Sequence, residues 1–244
     1  MVRSILYFVI CAMIPIPTFA GDEATLDFMG FSADGRYLMF EQFGWQDGSG
    51  FPYSDIIFVD VVKNSFVNAP VSVVLGEDEW DQSASERAIE QARDRIIDLN
   101  ILIGNTGYHI ISQSRGEPHI DPHRVCFSDT DLPLDSLGKY FRCVLSLTEI
   151  ECSDSASMNM DFGPSKMLEL TINIPDQNEP QVLQKDSKLP QRRGYVLSYH
   201  ISDVYMYRST DATYLAVFIN YTTPGFEGPD IRYMVVTGEL LLEH

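Results

Sequence analysis

Basic residues are scarce in this chain. Its 244 residues include 17 Lys and Arg against 35 Asp and Glu, which gives a formal net charge of −18. A surface with this excess repels nucleic-acid phosphates and anionic membrane surfaces. The sequence therefore predicts no nucleic-acid partner and leaves cationic partners and metal ions open.

Cysteine is also rare, and three of the four cysteines lie beyond residue 20: Cys126, Cys143 and Cys152. In an oxidising compartment two of them are expected to pair. The segment FRCVLSLTEIEC is read as a strand, a turn and a strand, which favours a bond between Cys143 and Cys152. We expect Cys126 to be a buried inert thiol, because RVCFSD does not supply the combination of a cationic partner and a helix N-terminus that activates a thiolate.

Catalytic signatures are missing. The sequence has no G-x-S-x-G elbow, P-loop, GxGxxG, CxxC or HExxH motif. Ser32 and Ser209 stand in turn-forming contexts rather than in the setting of a nucleophile. The sequence thus indicates no particular reaction, and we expect no cofactor.

Long apolar runs are confined to the first twenty residues, MVRSILYFVICAMIPIPTFA. Arg3, the apolar run 5–16 and the small-residue exit at Ala20 are typical of a signal peptide over 1–20. The alternative is a retained anchor, but the run is shorter than the roughly 20 residues that span a bilayer. We expect export to the periplasm or beyond, with 21–244 as a single domain and no membrane insertion after cleavage.

The two ends of the remaining chain resemble each other. Residues 22–62 contain a Ser-x-Asp turn, a Tyr-Leu strand, a loop rich in Gly and aromatic residues, and an Asp-Ile strand, and residues 204–236 repeat this order. The matching pairs at a constant offset are Met29 and Met206, Ser32 and Ser209, Asp34 and Asp211, Tyr37 and Tyr214, and Leu38 and Leu215. The echo predicts two related antiparallel units that lie side by side.

The pattern along the chain is that of a mainly β protein with antiparallel meander sheets. A first meander is predicted over 24–31, 37–43, 56–62 and 67–75, and further strands over 108–112, 123–127, 139–147 and 167–174. The blade-like units at both ends are compatible with a propeller-like or a sandwich-like arrangement. A polar, proline-bracketed stretch near 173–190 is predicted to be a surface loop.

One helix interrupts the β pattern near residues 83–99. Apolar side chains recur at helical spacing, and Ser83 followed three residues later by Glu86 forms a capping-box signature. The apolar stripe is read as a packing face and consists of Ala88, Ile89, Ala92, Ile96 and Leu99.

The segments just described also resemble a known family. The first forty residues after the leader, together with LPQRRGYVLSYHISDVYMY and TPGFEGPDIRYMVVTGEL, are similar to predicted secreted proteins of unknown function from Gram-negative bacteria, chiefly alphaproteobacteria. The resemblance implies export and carries no residue roles. Separately, FSADGRYL at 31–38 resembles the FSPDG-type blade motif of periplasmic β-propellers, with Ala33 in place of the usual proline.

The candidate metal site is the segment EPHIDPH at 117–123. In an extended backbone, His119, Asp121 and His123 would project to one side and offer two imidazoles and a carboxylate to zinc. The alternative is a polar surface loop, because Pro118 and Pro122 are frequent in loops.

The candidate binding site lies on the two matched loops, GWQDGSGFPY at 44–53 and TTPGFEGP at 222–229. Aromatic side chains among glycines on a rigid sheet make good recognition surfaces. The alternative is that these aromatics fold back onto their own sheets. The predicted contact residues are Trp45, Asp47, Phe51, Tyr53, Phe226 and Glu227.

Two functions from different classes follow. The first is a non-enzymatic binding or envelope-associated interaction module for an envelope protein or small ligand, using the aromatic loops. The second is a metal-dependent hydrolase centred on His119, Asp121 and His123.

Overall fold

The computed structural model describes residues 21–79, 81–128, 142–152, 158–159, 161–174, 177–210, 212–226 and 228–241. The predicted signal peptide at 1–20 lies outside them. The described part is mainly β with antiparallel sheets, as predicted. Among these residues, no helix combines the length and the apolar character that a bilayer crossing needs.

The N-terminal sheet is the predicted meander. Its strands run in the order β1-β2-β3-β4, and β5 also pairs with β3. The strands are β1 (Thr25–Phe31), β2 (Tyr37–Trp45), β3 (Pro52–Asp60), β4 (Ser65–Phe66) and β5 (Val71–Val74).

Helix α1 (Ala84–Asp98) follows and packs on the outer face of this sheet. Ser83 is its N-cap, and the predicted capping box forms: Ser83 Oγ accepts from Glu86 N, and the Glu86 carboxylate accepts from Ser83 N. Small residues let the helix lie close to the strands, and the buried ones are Ala84, Ala88 and Ala92. The helix and its packing face are therefore confirmed.

Two further four-stranded sheets complete the fold. The middle sheet has the order β12-β11-β8-β7, and the C-terminal sheet has the order β15-β14-β13-β6. In chain order the remaining strands are β6 (Tyr108–Ser112), β7 (Arg124–Ser128), β8 (Arg142–Glu151), β9 (Met158–Asn159), β10 (Gly163–Pro164), β11 (Lys166–Asn173), β12 (Gln181–Lys185), β13 (Ser198–Arg208), β14 (Thr213–Pro224) and β15 (Pro229–Glu239). Strands β9 and β10 form a small ribbon of their own.

The elements stack as four layers: helix α1, the N-terminal sheet, the C-terminal sheet and the middle sheet. The C-terminal sheet is central, and alternate residues of β14 serve its two faces. Ala216 and Phe218 pack toward the N-terminal sheet, whereas Val217 and Ile219 pack toward the middle sheet. Strand β3 is divided in the same way between helix and sheet, so both strands are buried almost throughout.

The two similar ends do form equivalent units. Strands β1, β2 and β3 and strands β13, β14 and β15 are both three-stranded antiparallel meanders with a bulge in the first strand. The two sheets contact each other face to face through an aromatic core that includes Phe28, Phe40 and Phe218. Of the two predicted arrangements, the packing is therefore sandwich-like.

The predicted disulfide is wrong. The segment read as strand, turn and strand is one continuous strand, β8, with Cys143 near its start and Cys152 just past its end. Nine residues of extended chain separate the two Cα atoms by about 30 Å, whereas a disulfide needs less than about 7 Å. Cys126 is exposed on β7 and is not the buried thiol that we expected.

The surface loop predicted near 173–190 is wrong in part. It contains β12, which pairs with β11 and covers one edge of the middle sheet. Its polar residues resemble those of a surface loop, but they bind backbone that is near in space and distant in sequence: Gln181 Nε2 donates to Glu239 O at 2.6 Å. Other middle-region strands were predicted to within a few residues.

Candidate functional site

The first loop, residues 46–51, joins β2 to β3 and is held by its own backbone. Gln46 N donates to Phe51 O, and Gly50 N donates to Gln46 O, each at 2.9 Å. Gly48 and Gly50 take positive φ values of 80° and 67°, which glycine adopts without strain. The glycines therefore allow a tight loop that projects beyond the sheet.

The second loop, residues 225–228, joins β14 to β15 and contacts the first. The backbone N–H of Phe226 donates to Oδ2 of Asp47 at 2.8 Å. A Cβ at Gly48 would lie 3.8 Å from Cδ1 of Phe226. We call residues 45–51 together with 225, 226 and 228 the paired loops.

The predicted contact residues differ in exposure. Trp45 is 59% exposed and Phe226 is 85% exposed, so neither ring is folded into a core. Phe51 is half-buried. Tyr53 is buried, so it supports the loops rather than presenting a contact surface. Glu227 lies outside the described residues.

An ion pair between the half-buried Arg232 and the buried Asp22 anchors the base of the paired loops. Arg232 Nη2 contacts Asp22 Oδ2, and Tyr53 Oη donates to Asp22 Oδ1 at 3.0 Å. Asp22 N in turn donates to Asp230 Oδ1 at 2.9 Å. Burial raises the pKa of the Asp22 carboxyl, and the charge and hydrogen bond of Arg232 oppose that rise. This network fixes Asp22 against both sheets.

A groove of about 480 Å³ lies beside the first loop and is open to solvent. The groove is acidic: Glu23 is exposed and Asp47 is half-buried beside the exposed Trp45 ring. An indole face attracts cations, and nearby carboxylates add to the attraction. The described residues that line it are Gly21, Asp22, Glu23, Trp45, Gln46, Asp47, Gly48 and Gly50.

Sequence reasoning did not identify Asp22, Glu23 and Arg232 as parts of this region. The contact that brings them there is a parallel bridge between Glu23 and Ile231, which joins the start of the described chain to β15. A sequence pattern does not reveal such a long-range bridge. The one sequence feature that pointed to this region was Arg232, a cation in a chain with few cations, directly after the repeated Asp-Ile pair.

The extended backbone expected for the candidate metal segment is wrong. The chain turns at His119, which has a positive φ of 77°, so the alternation that would align three side chains is lost. His119 and Asp121 are exposed, and Asp121 Oδ1 accepts from the backbone N–H of His123 at 2.9 Å. His123 Nε2 lies 3.1 Å from Tyr199 O and 3.4 Å from Glu149 Oε1.

No group of three or more His, Cys, Asp or Glu side chains converges as a metal site within the part of the chain that the structure describes. A zinc site at these positions stays a prediction. Metal analysis of the purified protein, and of a variant with His119→Ala and His123→Ala, tests it. Stoichiometric zinc that is lost in the variant would support the site.

The described residues form a mainly β, sandwich-like protein with an acidic groove beside the paired loops. The chain belongs to the family described as predicted secreted protein (DUF2259), whose model matches residues 39–239. The matched part extends from β2 to the end of β15 and confirms the resemblance to secreted proteins of unknown function. No curated protein and no solved structure matches the chain.

Proposed function

We propose that this secreted protein is a non-enzymatic binding module of the bacterial envelope, and that the paired loops hold a cationic group of an envelope protein or small ligand. The observation that carries the proposal is the bond from Phe226 N to Asp47 Oδ2. It joins two loops from different sheets and holds them against each other. Exposed aromatic rings are thereby presented on a rigid base.

The charge of the molecule supports a cationic ligand. The net charge of −18 attracts cations over a long range, and Glu23 and Asp47 place carboxylates at the groove itself. A cation over the Trp45 ring gains about 0.5–2 kcal/mol, depending on how well it is shielded from water. Aromatic rings also lose little rotamer entropy when they bind.

The burial of Tyr53 and of the Asp22–Arg232 pair supports preorganisation. These groups are satisfied within the protein, so the loops need not be ordered when a ligand arrives. Because ordering costs are subtracted from affinity, a preformed surface binds more tightly than a mobile one.

The test is calorimetric titration with a hexa-arginine peptide and with tetramethylammonium, each at low and high salt. We expect saturable peptide binding that weakens with salt. Replacing both Trp45 and Phe226 by alanine should lower the affinity about tenfold or more, which corresponds to roughly 1.4 kcal/mol.

The matched control is Phe162→Ala, which removes an aromatic ring that is 51% exposed and lies far from the loops in sequence. We expect its affinity to equal that of the unchanged protein. The proposal would be contradicted if the folded double variant bound hexa-arginine as tightly as the unchanged protein does. Binding of hexa-glutamate as tight as that of hexa-arginine would also contradict it.

A further inference from the structure

A second cleft lies at the edge of the C-terminal sheet, where the pairing of β13 with β6 ends. Strand β6 ends at Ser112, and the chain that follows returns to β13 nearer the start of that strand, where Ile201 N donates to Pro122 O at 2.9 Å. The chain between these points leaves a cleft of about 520 Å³. That volume is within the range of small-molecule sites.

Polar residues of β13 and β14 lie at this cleft: Ser198, His200 and Asn220 line it, and Thr222 is bonded to Ser198. On β14 the residues that face the N-terminal sheet are first apolar, Ala216 and Phe218, and then polar, Asn220 and Thr222. Strand β13 places polar partners opposite them: His200 pairs with Asn220, and Ser198 pairs with Thr222. We call Ser198, His200, Asn220 and Thr222 the polar quartet.

The side chains of Ser198 and Thr222 in the quartet have hydrogen-bond partners. Ser198 Oγ donates to Thr222 Oγ1 at 3.2 Å, and Arg115 Nη1 donates to the same Thr222 oxygen at 3.2 Å. This bond holds Arg115 at the cleft, and four of its five N–H groups are left for other acceptors. Its side chain is otherwise exposed, so it can follow a ligand without disturbing a core.

One polar atom of the quartet has no hydrogen-bond partner within the described residues. His200 Nε2 is buried and has no hydrogen-bond partner there. Asn220 is only 2% exposed and lines the same cleft. Leaving an atom such as His200 Nε2 buried and unpaired costs on the order of 1–3 kcal/mol. Buried polar groups in folded proteins nearly always have partners.

Of the charged residues that line the cleft, Arg115 is the one bonded to the polar quartet. Glu149 is offset by Lys166, whose Nζ lies 2.5 Å from Glu149 Oε2, and the Glu149 carboxylate also accepts from Tyr199 N. The exposed carboxylate of Glu117 is the other acidic group on the lining. The guanidinium of Arg115 is therefore the free charge nearest the quartet. Guanidinium and amide N–H groups are preferred donors to oxyanions.

We propose that this cleft binds a small molecule through a carboxylate or phosphate group, held by the Arg115 guanidinium, the His200 imidazole N–H and the Asn220 amide. The site is separate from the paired loops and selects the opposite charge. The proposal does not depend on the function of those loops. It explains why a chain with few cations bonds Arg115 to the polar quartet, in which the buried His200 Nε2 lacks a partner.

The experiment is an NMR titration of the histidine side chains of the full exported chain. Sodium phosphate and sodium succinate are the two probes, with sodium chloride at equal ionic strength and glycerol as controls. We expect at least one oxyanion to shift the His200 resonances saturably, with a Kd of about 1 mM or below. His200→Gln assigns those resonances.

Variants then locate the site. Arg115→Gln should raise the Kd about tenfold or more, and Arg115→Lys should restore part of the affinity. Arg93→Gln, which removes an equivalent charge from the exposed face of helix α1, is the matched control and should change the Kd less than about twofold. Circular dichroism checks that each variant is folded.

The two probes distinguish the source of the oxyanion. Saturation by phosphate alone identifies a phosphate-bearing ligand, and saturation by succinate alone identifies a carboxylate. If neither probe shifts His200 saturably, or if Arg115→Gln and Arg93→Gln have the same effect, the proposal is overturned.

Discussion

The ring of Tyr207 lies against the backbone of Gly35. A Cβ at Gly35 would be 2.4 Å from Cδ1 and from Cε1 of that ring, and the Tyr207 hydroxyl donates to Ala33 O at 2.9 Å. Gly35 also has a φ of 74°, which L-residues rarely adopt. The Ser-x-Asp-Gly turn of the first unit is therefore held by a strand of the last unit, and Gly35 is needed both for the turn and for the contact.

Gly35→Ala is expected to destabilise the protein more than a turn substitution usually does. The positive φ alone costs an alanine about 1–2 kcal/mol. The methyl group would also push the Tyr207 ring away and weaken its bond to Ala33, which adds about 1 kcal/mol. Urea unfolding followed by circular dichroism measures the change in the free energy of unfolding.

Gly50→Ala is the matched control. Gly50 has a similar φ of 67°, but a Cβ there would meet nothing within 4 Å. This variant should show only the conformational cost. Equal losses in the two variants would mean that the contact between the turn and Tyr207 contributes nothing to stability.

Local features of this fold could be predicted from the sequence, whereas the stacking of its layers could not. The turn at 32–35 and the helix after Ser83 depend on residues within a few positions of each other, and both were predicted correctly. Phe218 and Val217, by contrast, are equally apolar, and only the structure shows that they face different sheets. Strand β12 was missed because its polar residues pair with chain that is distant in sequence.

In the candidate sites too, local features could be predicted from the sequence and long-range contacts could not. Trp45 and Phe226 were identified because aromatic residues among glycines are visible in a short window, and their exposure agrees with that interpretation. Tyr53 belongs to the same window, but its pairing with Asp22 buries it. The polar quartet could not be predicted, because it exists only once β13 and β14 are placed in register.

The paired loops predict a specific effect of Asp47 on the backbone of the other loop. Asp47→Ala removes the acceptor of the Phe226 N–H, so hydrogen exchange at that amide should accelerate about tenfold or more, as expected for loss of about 1.4 kcal/mol of local protection. The free energy of global unfolding should change little, because both loops are at the surface. NMR-detected exchange measures the rate.

Asp47→Asn separates the hydrogen bond from the charge. Its side-chain oxygen can still accept from Phe226 N, so exchange should stay slow while affinity for a cationic peptide falls. Fast exchange in Asp47→Asn, or slow exchange in Asp47→Ala, would contradict the assigned role of this bond.

Exposure predicts which cysteine reacts first. Cys126 is exposed on β7, whereas Cys143 and Cys152 are buried at opposite ends of β8. Brief treatment of the folded protein with iodoacetamide should therefore label Cys126, and mass spectrometry of peptides should find the other two labelled only after unfolding. A peptide linking Cys143 to Cys152 through sulfur would contradict the continuous strand.

A buried ion pair between the middle and C-terminal sheets predicts how stability depends on pH. Arg193 Nη1 and Nη2 bind the two oxygens of Asp186 at 2.6 and 2.7 Å, and Nη1 also donates to the Tyr199 hydroxyl at 2.8 Å. Burial opposes ionisation of Asp186, but the bonds from Arg193 and from the Leu168 N–H outweigh it, so the pKa of Asp186 is lowered.

A carboxyl whose pKa is lower in the folded state stabilises the protein above its unfolded pKa, and this contribution is lost as pH falls through the folded value. Asp186→Asn should therefore lower the free energy of unfolding at pH 7 by about 3–5 kcal/mol, because it leaves Arg193 buried without its counter-charge. The difference from the unchanged protein should shrink as the pH falls below about 4. Urea unfolding at a series of pH values measures it, with the exposed Asp94→Asn as the control, which should change the free energy of unfolding little. A difference for Asp186→Asn that does not vary with pH would show that Asp186 has the same pKa in the folded and unfolded chain.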